Sequence, residues 1–257
     1  MTKNTSWGGV ADWYDDLLEN SADSYQKNVI LPNLTRIVEA KPGSNILDVA
    51  CGQGYFSFAF AQSGAKVIGC DISKELISHA KDRLIKEKNP NLEFHVTPSD
   101  KLDLIQDGTV DMITIVLAIQ NIENIAGTFA ECSRVLKPDG KLFVVLNHPS
   151  FRIPQRSSWQ WDDKDNKQYR RVDGYMSEQS FEIDMTPGEK DASKKKFTVS
   201  FHRPLQQYVK ALAKSGFSIK RLEEWISHKK SQDGPRSAEE DRTRKEIPMF
   251  MCLECGI

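Results

Sequence analysis

Ile46-Leu-Asp-Val-Ala-Cys-Gly-Gln-Gly-Tyr-Phe-Ser57 is the stretch on which the fold turns. Asn45–Ala50 has the short apolar pattern of a buried strand, and Tyr55–Ser63 reads as a helix. In the turn between them, Ala50, Gly52 and Gly54 have little or no side chain, so backbone can approach a ligand closely. A helix starting near Gly54 directs its free N–H groups to the same place. Strand, glycine turn and helix in this order form the ligand loop of a doubly wound sheet.

The flanking segments keep the same rhythm. Upstream, Asp23–Ala40 places Val29, Ile30, Leu34, Ile37 and Val38 at helical spacing, and Lys41-Pro-Gly stops the helix. Downstream, strands are expected at Lys66–Asp71, Leu92–Val96, Val110–Val116 and Lys141–Asn147. A helix from Ser73, a good N-cap, to Lys88 and another over Ile125–Leu136 separate them. Alternation of strand and helix is the grammar of a parallel sheet with helices on both faces.

Phe151–His202 breaks the rhythm. Rich in charge, Trp and Ser, it is too long for a plain connection and is expected to form an insertion, lid or small sheet. A helix over Leu205–Ser215 and a strand over Phe217–Glu223 follow, then a polar, mobile loop, Lys229–Thr243, and a last strand, Ile247–Cys255. The expected organisation is one domain, 1–257. It comprises a helical cap (1–40), a cofactor-binding core (41–147), an insertion over the substrate side (148–203) and the rest of the sheet (204–257).

Two carboxylates narrow the ligand. Asp71, nineteen residues after Gly52 at the end of the second strand, can accept hydrogen bonds from two ribose hydroxyls. A nicotinamide dinucleotide uses a similar acid, but its G-x-G-x-x-G fingerprint has Ser57 in the third position here. Asp48, at the end of the first strand, would repel a pyrophosphate and favour a ligand carrying an ammonium and a sulfonium. That combination points to S-adenosylmethionine.

ILDVACGQG (46–54) resembles the first motif of the class I S-adenosylmethionine-dependent methyltransferases, small-molecule type, with Ala50 in place of the first glycine. VIGCDIS (67–73) resembles the second-strand motif, and DGTVDMITIVLAIQNIEN (107–124) and RVLKPDGKLFVV (134–145) the later ones. FHRPLQQYVKALAKSGFSIKRLEEW (201–225) is similar, more loosely, to the end of many such enzymes. The resemblance implies an α/β, Rossmann-like sheet of seven mostly parallel strands whose last, Ile247–Cys255, is antiparallel. It implies Asp48, Ala50, Cys51, Gly52 and Gly54 around the methionine part of the cofactor. Asp71 and Ile72 would hold ribose and adenine, Ser99-Asp100 the adenine amino group, and Leu117 and Ala118 would lie beneath the methionine portion. Tyr14 matches a tyrosine that closes over the cofactor and is, with His148, a candidate catalytic residue. The implied activity is methyl transfer to an O, N or C atom of a small molecule, leaving S-adenosylhomocysteine. An NAD(P)-dependent oxidoreductase and an RNA or protein methyltransferase are the alternatives.

Methyl transfer from a sulfonium gains rate chiefly from alignment, and a general base is needed only if the acceptor must lose a proton. Candidate acceptor contacts are Gln120, Asn147 and His148. For each, a plainer role competes. His148 precedes Pro149 and suits a turn; His202 precedes Arg203-Pro204 and suits a helix entry. Trp159 and Trp161 serve lid packing as well as a substrate cage. Arg152, Arg156, Arg170 and Arg171 could bind an acidic substrate, but Asp162, Asp163, Asp165 and Asp173 interleave with them and favour a solvated face. Cys252 and Cys255, three apart on a strand, face opposite sides and lack further ligands, so no metal is expected.

Composition agrees with a small-molecule enzyme. Lys+Arg total 35 against 36 Asp+Glu in 257 residues, a net charge of −1 that argues against nucleic acid as a partner. The longest apolar run lies within Met112–Ile119, far short of the ~20 residues that cross a bilayer. The first residues carry acids where a signal peptide needs an apolar core, and the five cysteines are odd in number and dispersed. A cytoplasmic protein with reduced thiols and no membrane partner is expected.

Overall fold

The computed structural model describes residues 7–10 and 23–257. After a 3₁₀ turn, Trp7–Val10, and a π turn, Gln26–Ile30, comes helix α1 (Leu31–Val38). Glu39 ends it in the left-handed conformation, just before the expected Lys41-Pro-Gly43 stop. Strand β1 (Asn45–Val49), helix α2 (Tyr55–Ala61), strand β2 (Lys66–Asp71), helix α3 (Lys74–Glu87) and strand β3 (Leu92–Val96) follow. Strand β4 (Val110–Val116), helix α4 (Ile125–Val135) and strand β5 (Leu136–Asn147) complete the first half.

The caps are the ones that side-chain chemistry demands. Ser73 Oγ accepts from Leu76 N at 3.1 Å to start α3, and Asn124 Oδ1 accepts from Gly127 N at 3.0 Å to start α4. β5 begins earlier than the expected Lys141, and Pro138-Asp-Gly140 interrupts it. Leu136 pairs with Val110 and Lys141 with Met112, so the residues between are looped out.

The insertion consists of two antiparallel hairpins, β6 (Ser157–Asp162) with β7 (Lys167–Val172), and β8 (Gln179–Asp184) with β9 (Phe197–His202). Helix α5 (Leu205–Lys214) and strand β10 (Ser218–Trp225) return to the main sheet. The stretch expected to be a mobile loop ends instead in a helix, α6 (Ser237–Glu246), before strand β11 (Phe250–Gly256). Apolar periodicity could not reveal α6, because polar groups dock it. Glu239 Oε1 accepts from Gln168 N at 3.2 Å, and Thr243 Oγ1 donates to Gln168 O at 3.3 Å, both on β7.

The seven-stranded sheet has the order β10-β11-β5-β4-β1-β2-β3. β1 is parallel to β2 and β4, β2 to β3, and β4 to β5; the last strand, β11, runs antiparallel between β5 and β10. Side chains alternate strictly across it. Leu47, Leu142, Val144 and Leu253 pack with Phe129 and Leu212 on one face; Ile46, Phe143, Val145 and Cys252 pack with Leu34, Phe58 and Ile77 on the other. Cys252 and Cys255 therefore point into opposite cores, and among the described residues no group of metal-ligating side chains forms. No helix among them is long and apolar enough to cross a membrane.

Candidate functional site

The chain leaves the sheet in opposite directions after β1 and β4, its two central strands, and a crevice opens at their carboxyl ends. A pocket of about 440 Å³ occupies it. Ala50, Cys51, Gly52 and Gln53 form one wall; Val116, Leu117, Ala118, Asn121 and Ile122 form another. Asp71, Ile72 and Ser73–Leu76 line the far end, with Trp7–Gly9, Tyr55 and Phe56 also on the lining.

Backbone geometry at the two strand ends is unusual. Ala50 has φ +55° and Leu117 φ +53°, a left-handed conformation that costs an L-residue about 1–2 kcal/mol. At Leu117 two side chains hold the turn: Gln120 Nε2 donates to its carbonyl at 2.7 Å and Asn121 Nδ2 at 3.4 Å. Both strained residues sit on the pocket, where such conformations concentrate in proteins that bind ligands.

Asp71 organises the loop facing it. Its Oδ2 accepts from Gly52 N at 2.9 Å and its Oδ1 from Ser73 N at 2.8 Å. Burial raises its pKa and these backbone donors oppose the rise. Each oxygen keeps a lone pair, which is what two vicinal hydroxyls require. Ile72, 56% exposed, presents an apolar side chain beside it. Gln53 adds a donor, because its Nε2 is buried without a hydrogen-bond partner.

Asp48 lies beneath this surface and is not on the lining. It is 1% exposed, and its Oδ2 accepts from Ser57 Oγ at 2.6 Å and its Oδ1 from Thr114 Oγ1 at 2.8 Å. It thereby ties β1 to α2 and β4. Burial pushes its pKa up to about 6, the two hydroxyls pull it down, and the Asp71 charge raises it further. Desolvation, with Asp48 and Asp71 nearby, pushes the half-buried Cys51 thiol well above its ordinary value, so it stays protonated.

Of the other residues singled out from sequence, Ala50, Cys51, Gly52, Asp71, Ile72, Leu117 and Ala118 meet on the pocket. Gly54 does not line it; with φ +81° it caps α2, packed so closely that a Cβ would overlap the Phe94 ring. Ser99 and Asp100 are engaged at the start of α4, Ser99 Oγ with Thr128 Oγ1 at 2.8 Å and Asp100 Oδ2 with Asn124 Nδ2 at 2.7 Å. Gln120 is turned back on Leu117, and Asn147 is exposed at the end of β5. His148, 4% exposed, places Nε2 at 2.7 Å from Glu224 Oε1, away from the lining; burial lowers its pKa although Glu224 opposes this. His202 Nε2 donates to Tyr175 O at 2.8 Å, and Tyr175 Oη accepts from Leu205 N at 3.1 Å, so this pair secures the entry to α5. Tyr14 lies outside the described residues.

Trp7–Gly9, Gln53, Tyr55, Phe56, Lys74, Glu75, Asn121 and Ile122 line the pocket without having been singled out. Most neighbour a motif residue along one turn, so widening each motif by one or two positions would have found them. Trp7–Gly9 arrives from a distant part of the chain and carries no such signal.

The strand order, the glycine loop after β1 and the acid at the end of β2 make a pocket at the switch point of a doubly wound sheet, the place where such sheets bind ligands. Comparison with known proteins agrees. The family profile described as "Methyltransferase domain" matches residues 47–144. A demethylmenaquinone methyltransferase of Chlorobaculum parvum is 32% identical over 135 residues, 52% of this chain and 54% of the relative. A demethylmenaquinone methyltransferase of Streptomyces avermitilis is 31% identical over 146 residues, 55% of this chain and 59% of that one. The chain thus spans little more than half the length of these curated relatives. An S-adenosylmethionine-dependent methyltransferase structure from Mesorhizobium loti superposes with a TM-score of 0.68 at 23% identity, covering 87% of this chain and 95% of that one. Residues 47–144 therefore match a methyltransferase domain, and the chain as a whole shares the fold of S-adenosylmethionine-dependent methyltransferases.

Proposed function

We propose that this chain transfers the methyl group of S-adenosylmethionine to an O, N or C atom of a small-molecule acceptor. The observation that carries this reading is the pocket at the ends of β1 and β4, walled by Ala50–Gln53 and closed by Asp71, with a buried acid beneath it. When bound there, the cofactor supplies an electrophilic methyl group on a sulfonium. Asp71 would accept the ribose hydroxyls, Ile72 would cover one face of the adenine, and Gln53 Nε2 would donate to a polar atom of the ligand. Phe56, Leu117 and Ile122 exclude water, which strengthens every polar contact inside. The field of Asp48 and Asp71 suits a cation and disfavours a pyrophosphate.

The relatives named for demethylmenaquinone support a small organic acceptor, and the near-neutral charge supports it over RNA. The acceptor side is expected under the insertion, because β9 packs on the Ile119–Asn121 turn and Arg203 Nη2 donates to Glu123 O at 2.8 Å.

Calorimetric titration with S-adenosylhomocysteine and with NAD tests the reading. Saturable binding of the first alone is expected; tight NAD binding with no S-adenosylhomocysteine binding would overturn it. Asp71→Ala is expected to weaken S-adenosylhomocysteine binding by about 1–3 kcal/mol, through loss of hydrogen bonds to a charged group and loosening of the Gly52 turn. Unchanged affinity would remove Asp71 from the ribose role.

A further inference from the structure

Four arginines of the insertion, Arg152, Arg156, Arg170 and Arg171, divide into two kinds. Arg156 Nη1 lies 3.4 Å and Arg171 Nη2 3.9 Å from Asp173 Oδ2, so these two belong to an exposed ion-pair network. Arg152 and Arg170 make no ion pair among the described residues, and the charge that acts most on Arg170 is Arg152 itself. Trp159 and Arg170 are direct cross-strand partners in the β6–β7 hairpin and so share a face. Both guanidinium groups lie over the Trp159 ring, at 5.1 Å for Arg170 and 5.9 Å for Arg152.

Arg170 is held in place. Its Nε donates to Phe151 O at 2.9 Å and its Nη2 to Ser157 Oγ at 2.7 Å. Arg152 is not: its Nε is buried and has no hydrogen-bond partner. Two like charges brought together in a desolvated place without a counter-charge are costly, and an oxyanion relieves both the repulsion and the missing hydrogen bond.

The pair stands on the ligand edge of the sheet. Arg152 N donates to His148 O at 2.8 Å, directly beyond the end of β5, and β5 pairs with β4, whose end walls the pocket. Gln155, three residues on, donates to Glu182 O of β8 at 3.2 Å, which joins this turn to the hairpin covering the Ile119–Asn121 turn.

We propose that Arg152 and Arg170, backed by Trp159, form an oxyanion subsite that binds a carboxylate or phosphate group of the methyl acceptor. This rests on the methyltransferase reading above. The acceptor is then a small organic anion rather than a neutral quinol, held by its charged end on the insertion while its nucleophilic atom reaches the cofactor pocket.

The test uses the full chain saturated with S-adenosylhomocysteine, titrated at constant ionic strength with sodium benzoate and with sodium pyrophosphate, with sodium chloride as control. Tryptophan fluorescence and calorimetry are the readouts. Saturable binding of one anion is expected, and the better of the two tells carboxylate from phosphate. Arg152→Gln and Arg170→Gln are expected to weaken it about tenfold or more. Arg152→Lys, which keeps the charge but loses the fork, is expected to weaken it less. S-adenosylhomocysteine affinity measured on each variant reports that the fold is intact. No saturable response to either anion, or equal binding by the Gln variants, would overturn the subsite while leaving the cofactor reading untouched. Anion binding without S-adenosylhomocysteine binding would instead overturn the methyltransferase reading, and the acceptor assignment with it.

Discussion

At Asp48, burial and hydrogen bonding act in opposite senses on a single carboxyl group. Desolvation favours the neutral form, the Ser57 and Thr114 hydroxyls favour the anion, and the balance leaves a pKa of about 6 against 3.8 for an ordinary Asp. In the folded protein the proton is bound more tightly than in the unfolded chain. The associated stability is therefore complete below about pH 4 and lost as pH rises through 6. Asp48→Asn is expected to melt higher than the wild type at pH 8, by an amount corresponding to at most about 3 kcal/mol, with the gap closing toward pH 4. The same substitution is expected to weaken S-adenosylmethionine binding, because a cationic ligand favours the ionised form. Wild-type affinity is expected to increase as pH rises through the Asp48 pKa, and the Asp48→Asn variant to lose that dependence. A variant less stable at pH 8 than the wild type would show that the two hydroxyl bonds outweigh desolvation.

Elements were legible where their own residues set them. Strands β3 and β4 fall on the expected residues because continuous or alternating apolar runs bounded by Asn-Pro-Asn and Asp-Gly turns are local signals. Helix α6 was not legible, since its partners, Gln168 and its neighbours on β7, are some seventy residues away in the chain. The glycine loop joins the two cases. Gly54 was visible as a turn residue, but its closeness to Phe94 of β3 follows only from the packing of α2 on the sheet. Gly54→Ala combines a positive φ with a steric overlap and is expected to destabilise by about 1–3 kcal/mol in urea unfolding. A loss below half of that would mean that Phe94 moves aside at little cost.

At the scale of the whole molecule, one sheet joins two parts of the chain that the insertion separates. Residues 45–147 and 218–256 share seven strands, and the pocket sits where the two winding directions part. A ligand held by β1, β2 and β4 together should stabilise the domain as a unit. S-adenosylhomocysteine at about a hundred times its Kd is expected to add about 2.7 kcal/mol and raise Tm by about 5 °C or more in a single transition. No shift in Tm at saturation would mean that the pocket is not the binding site.

Local pattern was enough for the alternation of strands and helices through β5 and for the glycine loop after β1, because strand period, turn chemistry and motif spacing are properties of neighbouring residues. Only folding decided which candidates meet. It put Asp48 under the pocket and His148 against Glu224, spent Ser99 and Asp100 on α4, and brought Trp7–Gly9 to the lining. It also separated four of the insertion's arginines into two that find Asp173 and two, Arg152 and Arg170, that share the Trp159 ring with no acidic partner among the described residues. Spacing along a chain fixes which face a side chain takes, but its partner lies on another element, and the choice of partner sets whether a charge is neutralised or left to bind something else.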